Sequence, residues 1–93
     1  MLYHFACHPI MGAPGGANTA GFPGFASRLL EDALGEGSVA LFVQGCGGDI
    51  NPVRYKTVAV PDGEPLGNRL GAKVLQTWRG IETKTNAELK LHQ

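Results

Sequence analysis

The side chains able to do chemistry gather at two points of the chain. His8 stands in Phe5-Ala6-Cys7-His8-Pro9. Cys46, Asp49 and Asn51 stand in Gln44-Gly45-Cys46-Gly47-Gly48-Asp49-Ile50-Asn51-Pro52. A neutral imidazole is a common zinc ligand, so His8 is the candidate metal-binding residue. The competing role for a histidine at a strand end is a bond to a neighbouring carbonyl. Cys46 with His8 would make a thiolate–imidazole pair, a nucleophile and a base suited to hydrolysis. Against that, cysteine is often buried as a plain hydrophobe. Asp49 can bind a cation, orient a histidine or cap a turn, and the turn is the usual role of Gly-Asp in a loop. Asn51-Pro52 fits a turn equally well. Gly45, Gly47 and Gly48 could shape a nest of backbone N–H groups for an anion. No Lys-Ser/Thr pair directly follows them and no G-x-G-x-x-G precedes a helix, so the two common phosphate fingerprints are absent. His4, inside an apolar run, and His92 are weaker candidates.

Both points close an apolar run. Met1–Cys7 is short, aromatic-rich and apolar and suits a strand, which His8-Pro9 ends. Val39–Val43 is continuously apolar, the pattern of a strand buried on both faces in a parallel sheet. Between them lie a long glycine-rich loop over Ile10–Gly21 and a helix. That helix starts near Phe22-Pro23, since proline costs nothing in a first helical turn, and Gly35 stops it. Phe22, Phe25, Ala26, Leu29, Leu30, Ala33 and Leu34 form its apolar stripe. A second helix is expected over Pro65–Arg79, with Leu66, Leu70, Val74, Leu75 and Trp78 as its core face. Lys56–Val60 suggests a short extended piece. Asn86–His92 alternates, with Ala87, Leu89 and Leu91 on one side, and reads as a last strand.

The order is thus β, α, β, α, β: a small α/β layer with a mostly parallel sheet and helices packed on it. Ligands gather beyond the carboxyl ends of such strands. His8 and the Gly45–Asp49 turn should therefore meet at one edge. Residues 1–93 make one domain. Three strands and two helices are a thin layer, so the expectation is a segment of a larger domain, or a chain that associates with itself.

Composition excludes several classes. Eight basic residues balance eight acidic ones, which favours neither nucleic acid nor an anionic membrane surface. No apolar run approaches the roughly 18 residues of a membrane span, and the first residues lack the charged start and cleavage site of a signal peptide. Two cysteines, Cys7 and Cys46, are too few for a disulfide scaffold and are expected as thiols, with one bridge open to them.

Taken together, Phe5-Ala6-Cys7-His8-Pro9-Ile10, Thr19-Ala20-Gly21-Phe22-Pro23-Gly24-Phe25-Ala26 and Val39–Val53 resemble the neutral/alkaline non-lysosomal ceramidase family in order and spacing. The resemblance covers roughly residues 2 to 80. It implies a zinc amidohydrolase acting on lipid amides, with His8, in the His-Pro pair, as a zinc ligand. It also implies an active-site serine in a Gly-Asp-x-Ser-Pro segment, whose place Asn51 holds in Gly48-Asp49-Ile50-Asn51-Pro52. Asp49 falls on the aspartate of that segment. Asparagine supplies no hydroxyl. Gly21 stands where the family has an acidic residue. The family's other zinc ligands are a histidine upstream and a glutamate and a tyrosine well downstream, and His4 and Tyr55 are not at matching positions. The expectation is a ceramidase-like segment that holds zinc weakly or not at all and is inactive in isolation. Two other readings stand beside it: a non-catalytic α/β binding or assembly module, and a thiol-dependent hydrolase using Cys46 and His8.

Overall fold

A computed structural model describes residues 1–11, 18–55 and 62–92. Strand β1, Leu2–Phe5, runs parallel to strand β2, Leu41–Gln44. A parallel pair cannot be joined by a tight turn, because the chain must return to the starting end before the second strand begins. Helix α1, Gly21–Leu34, makes that return. Helix α2, Glu64–Trp78, follows β2.

The start and stop of each helix follow local chemistry. Pro23 lies in the first turn of α1, where its missing N–H is no loss. Gly35 ends it at φ 94°, a conformation open chiefly to glycine, and donates its N–H to the Glu31 carbonyl at 3.0 Å. Beyond that turn the Glu31 carboxylate reaches forward and accepts the Ala40 N–H at 3.0 Å, which ties the helix end to the start of β2. In α2, Pro65 occupies the first turn, and the Asp62 carboxylate accepts the Glu64 N–H at 2.9 Å.

Register pairs Leu2 with Leu41, Tyr3 with Phe42, His4 with Val43 and Phe5 with Gln44. Side chains alternate between faces along a strand, so Tyr3 and Phe42 share the face that meets the helices. Tyr3 is buried with Ala26, Leu30 and Ala40, and Phe42, Leu70, Val74 and Leu75 pack against that cluster. Phe22, fully buried, meets both Phe5 and Phe42 edge-to-face at 6.3 Å between ring centres. The Tyr3 hydroxyl donates to the Pro23 carbonyl at 3.0 Å and shares a 2.9 Å bond with the Ser27 hydroxyl, so the core's one polar tip is satisfied inside α1.

The two helices touch through glycine. Gly67 and Gly71 are the buried residues of α2, while its apolar side chains Leu66, Leu70, Val74 and Leu75 are only half-buried. A methyl group on Gly67 would lie 2.5 Å from the Phe22 carbonyl oxygen and 2.5 Å from the Phe25 Cβ. One on Gly71 would lie 3.0 Å from the Ala26 carbonyl oxygen. The sequence pattern had placed Leu66 through Trp78 at the core. The leucines instead flank a backbone-to-backbone contact that only glycine permits.

The coarse reading holds: two helices and two parallel strands in one sheet. The third strand expected over Asn86–His92 is not formed. That segment is irregular and exposed, and among the described residues the sheet has two strands. Alternation alone makes no strand without an edge that captures it. Trp78, expected in the core, is exposed. The extended piece suggested at Lys56–Val60 lies outside the described residues.

Replacing Gly67 with alanine should destabilise the fold by about 1–3 kcal/mol, the usual cost of overpacking, despite the ~1 kcal/mol by which alanine favours a helix over glycine. Asn68→Ala, on the exposed side of the same turn, should stay within about 0.5 kcal/mol. Urea unfolding midpoints compare the two, and equal midpoints would mean that the helices do not meet at Gly67.

Tyr3 makes a pH prediction. Burial raises its pKa above the ordinary 10.0, the Ser27 hydroxyl pulls it back, and the Glu31 charge raises it further. The unfolded chain therefore ionises first. Tyr3's contribution is intact below about pH 10 and is lost as pH rises through the folded value. Burial likewise raises the Cys7 thiol above its ordinary 9.0, so it adds a loss of the same sign that begins nearer pH 9. Tyr3→Phe should cost about 1 kcal/mol at neutral pH and shrink the alkaline decline in thermal midpoint. An alkaline limb of unchanged depth would count against this account.

Candidate functional site

The parallel register puts both strand ends at the same edge, and the chain leaves each strand toward the other. The Gly45 N–H donates to the Phe5 carbonyl at 3.1 Å, which extends the ladder one residue past β2. Beyond it the chain turns back: the Ile50 N–H donates to the Gly47 carbonyl at 2.6 Å, with Gly48 and Asp49 at the corner of a four-residue turn.

His8 holds this turn at two points. Its backbone N–H donates to the Ile50 carbonyl at 2.9 Å, and its Nε2 lies 3.1 Å from the Gly48 carbonyl oxygen. A carbonyl only accepts, so the bond requires the proton on Nε2. In the neutral ring Nδ1 then carries the free lone pair. A ligating histidine commonly gives its second ring N–H to a backbone carbonyl in this way, which fixes ring and tautomer. The same bond is also the one expected of a histidine that only fastens a loop.

The glycines of the turn have distinct reasons. Gly47 is buried, and a methyl group there would lie 2.9 Å from the Gln44 Nε2 and 3.5 Å from the His8 backbone nitrogen. Gln44 donates from that amide to the Gly45 carbonyl at 3.0 Å and lies over the turn. Among the described glycines only Gly21, Gly35 and Gly37 have positive φ. Gly45, Gly47 and Gly48 therefore lack the left-handed residue of an alternating nest; Gly45 and Gly47 serve close approach, to His4 and Gln44, while a side chain at Gly48 would meet open space.

The structure brings His8 together with the turn that carries Cys46, Asp49 and Asn51. Among the described residues it joins none of those three side chains to the imidazole. Cys46 is exposed and Cys7 buried, both as free thiols, so no bridge links them. No hydrogen bond connects Cys46 with His8 among the described residues. The Asn51 side-chain amide reaches back to the Asp49 carbonyl at 3.4 Å, a turn contact. The Asp49 carboxylate makes no hydrogen bond or ion pair among the described residues. An open groove of about 450 Å³ lies beside His8, walled by Pro9, Pro23, Phe42, Gln44 and Gly47. A second groove of about 490 Å³, against the start of α2, holds none of the candidate residues.

Zinc needs three protein ligands at a catalytic centre. The described residues contain no cluster of three His, Cys, Asp or Glu side chains placed to hold a metal. His8 fits as one ligand; the donor set does not amount to a shell. Gly21 adds a second departure from the ceramidase pattern. Its φ of 53° lies in the left-handed region, which suits glycine and strains an acidic residue there, while the space around it is ordinary. Sequence reasoning picked out His8 and gave a carbonyl bond as its competing role, but did not identify which carbonyl. The Gly48 acceptor is a backbone atom, and Gln44 reads as the last residue of a strand. No family model, no curated protein and no solved structure matches the chain.

His8→Ala should speed amide exchange at Ile50 by roughly 2–10-fold, since a side-chain hydrogen bond contributes about 0.5–1.5 kcal/mol and its loss frees the corner of the turn. Exchange at Leu30, in the core, should not change at neutral pH. In the parent chain, iodoacetamide should modify Cys46 at the rate of an open thiol and Cys7 about 100-fold more slowly, by local opening. Equal rates at the two cysteines would contradict the burial of Cys7.

Proposed function

We propose that this chain is a segment of a ceramidase-like zinc amidohydrolase domain, that it builds one wall of the active site, and that it is catalytically silent alone. The supporting observation is the His8 clasp. Nε2 is committed to the Gly48 carbonyl, 3.1 Å away, and Nδ1 is left with its lone pair at the carboxyl edge of the sheet. In the complete domain the βαβαβ layer would be filled out, the remaining ligands would come from other segments, and a lipid amide or other small-molecule amide would be the substrate. In this chain His8 would be the one ligand, since the described residues hold no group of three that could bind a metal, and Asn51 stands where the family's nucleophilic hydroxyl would be. What the chain itself does is orient: Gly47 brings the turn against β1, and His8 fixes the height of Asp49 and Asn51 above the strand ends.

One imidazole without companion ligands is also what a non-catalytic α/β assembly module would carry. That is the second reading, and zinc stoichiometry in a longer protein separates the two. The thiol hydrolase is the weaker alternative, because Cys46 and His8 share no hydrogen bond among the described residues.

The purified chain, assayed on a fluorogenic ceramide-like amide with and without added zinc, should show no turnover above buffer, and zinc should dialyse away. Asn51→Ser should remain inactive, because a hydroxyl does not replace absent ligands. Zinc-dependent turnover abolished by His8→Ala would overturn the silent-segment reading. Turnover in zinc-free buffer that disappears with Cys46→Ala would install the thiol mechanism instead.

A further inference from the structure

Among the described residues, one face of the sheet has no cover. The helices lie over Tyr3 and Phe42, while Leu2 and Leu41, register partners on the opposite side, are 69% and 56% exposed, and Val39 and Val43 beside them are exposed as well. A parallel pair is normally buried on both faces. Both lateral edges of this two-stranded sheet are also open among the described residues.

The same molecule carries a segment of complementary chemistry with nowhere to go. Asn86–His92 alternates apolar and polar residues at strand spacing. Leu89 is 97% and Leu91 89% exposed, and the longest dimension of the chain is 49 Å. Its radius of gyration, 15.2 Å, exceeds the roughly 12 Å of a compact chain this long. The polar side of the tail carries Glu88 and Lys90, paired with each other at 3.4 Å and needing no charge from a partner.

We propose that the open sheet face is the interface between two copies of this chain, with the Asn86–His92 tail of each copy joining the sheet of the other. This concerns the chain as it stands and does not depend on the hydrolase reading. Strand addition satisfies an open edge through backbone bonds and takes its specificity from alternate side chains, here Leu89 and Leu91. Burying an aliphatic side chain completely removes roughly 60–120 Å² from water. Leu2, Val39, Leu41, Val43, Leu89 and Leu91 are between 40% and 97% exposed, so in both copies they offer about 700 Å², and the backbone of the two added tails carries the total toward the lower bound of about 1,200 Å² for stable pairs.

Light scattering behind size-exclusion chromatography tests it on the full chain. The expected mass is twice the 9.8 kDa of one chain. Two variants should halve it: Leu41→Glu, at a site already exposed in the single copy, and a chain ending at Lys84, which lacks the tail. Far-UV circular dichroism should show that α1 and α2 survive in both. Amide exchange over residues 87–91 should be slow in the pair and become fast on dilution. A monomeric full chain overturns the proposal, including one whose tail amides are protected, since that tail has folded onto its own sheet. A dimer that persists in both variants overturns it as well, because the contact then lies elsewhere.

Discussion

The parallel pairing of β1 and β2 is the constraint on which the rest of the molecule depends. Two parallel strands need a long return connection, and the return here is α1, held at one end by Gly35 and at the other by the loop around Gly21. The pairing also sends both strand ends to one edge. His8 and the turn after Gln44 come from residues about forty positions apart. They meet because the Tyr3–Phe42 and Phe5–Gln44 registers leave no other place for them. Had the strands run antiparallel, His8 would sit beside the start of β2 and the polar turn at the far end.

A sheet of two strands gains little from its own hydrogen bonds, so the helices must secure it. They do so through closeness more than bulk. Gly67 and Gly71 let the backbone of α2 approach that of α1, and this draws Leu70, Val74 and Leu75 onto the cluster of Tyr3, Ala26, Leu30 and Ala40. Larger residues on α2 would lift it from α1 and open the cover over Phe22. The small core explains why one hydroxyl, that of Tyr3, is bonded twice: in so few buried residues an unsatisfied polar tip would cost a sizeable share of the total stability.

Much of this was legible in the chain. Gly35 and Pro65 marked helix boundaries close to those observed, and Val39–Val43 announced a strand that forms over Leu41–Gln44. The meeting of His8 with the glycine turn followed from the parallel order. Three features escaped, each for a physical reason. An apolar stripe shows which side of a helix is greasy but not how closely it approaches, so Leu66–Trp78 drew the eye away from Gly67 and Gly71. Backbone acceptors have no letter in a sequence, so the Gly48 carbonyl was invisible. The alternation of Asn86–His92 is a capacity for pairing, and pairing requires an edge that local residues do not specify. The functional roles of His8, Asp49 and Asn51 are of another kind. The fold places them at one edge, the chemistry is a proposal, and the described residues hold no group of three metal-ligating side chains.

The clasp at His8 decides how far the site's geometry can carry a functional argument. The bond from Nε2 to the Gly48 carbonyl suits both a loop fastener and a metal ligand held in one tautomer. A fastener uses one ring nitrogen and leaves the other idle, whereas a ligand held this way uses both. The backbone already ties the turn, from the His8 N–H to the Ile50 carbonyl. The side chain adds a second tie, to a different carbonyl of the same turn, and holds its ring beside an open groove. Two ties from one residue fix the ring as well as the turn. A ring fixed in this way is what the proposed ligand role of His8 requires, and it asks nothing of Cys46.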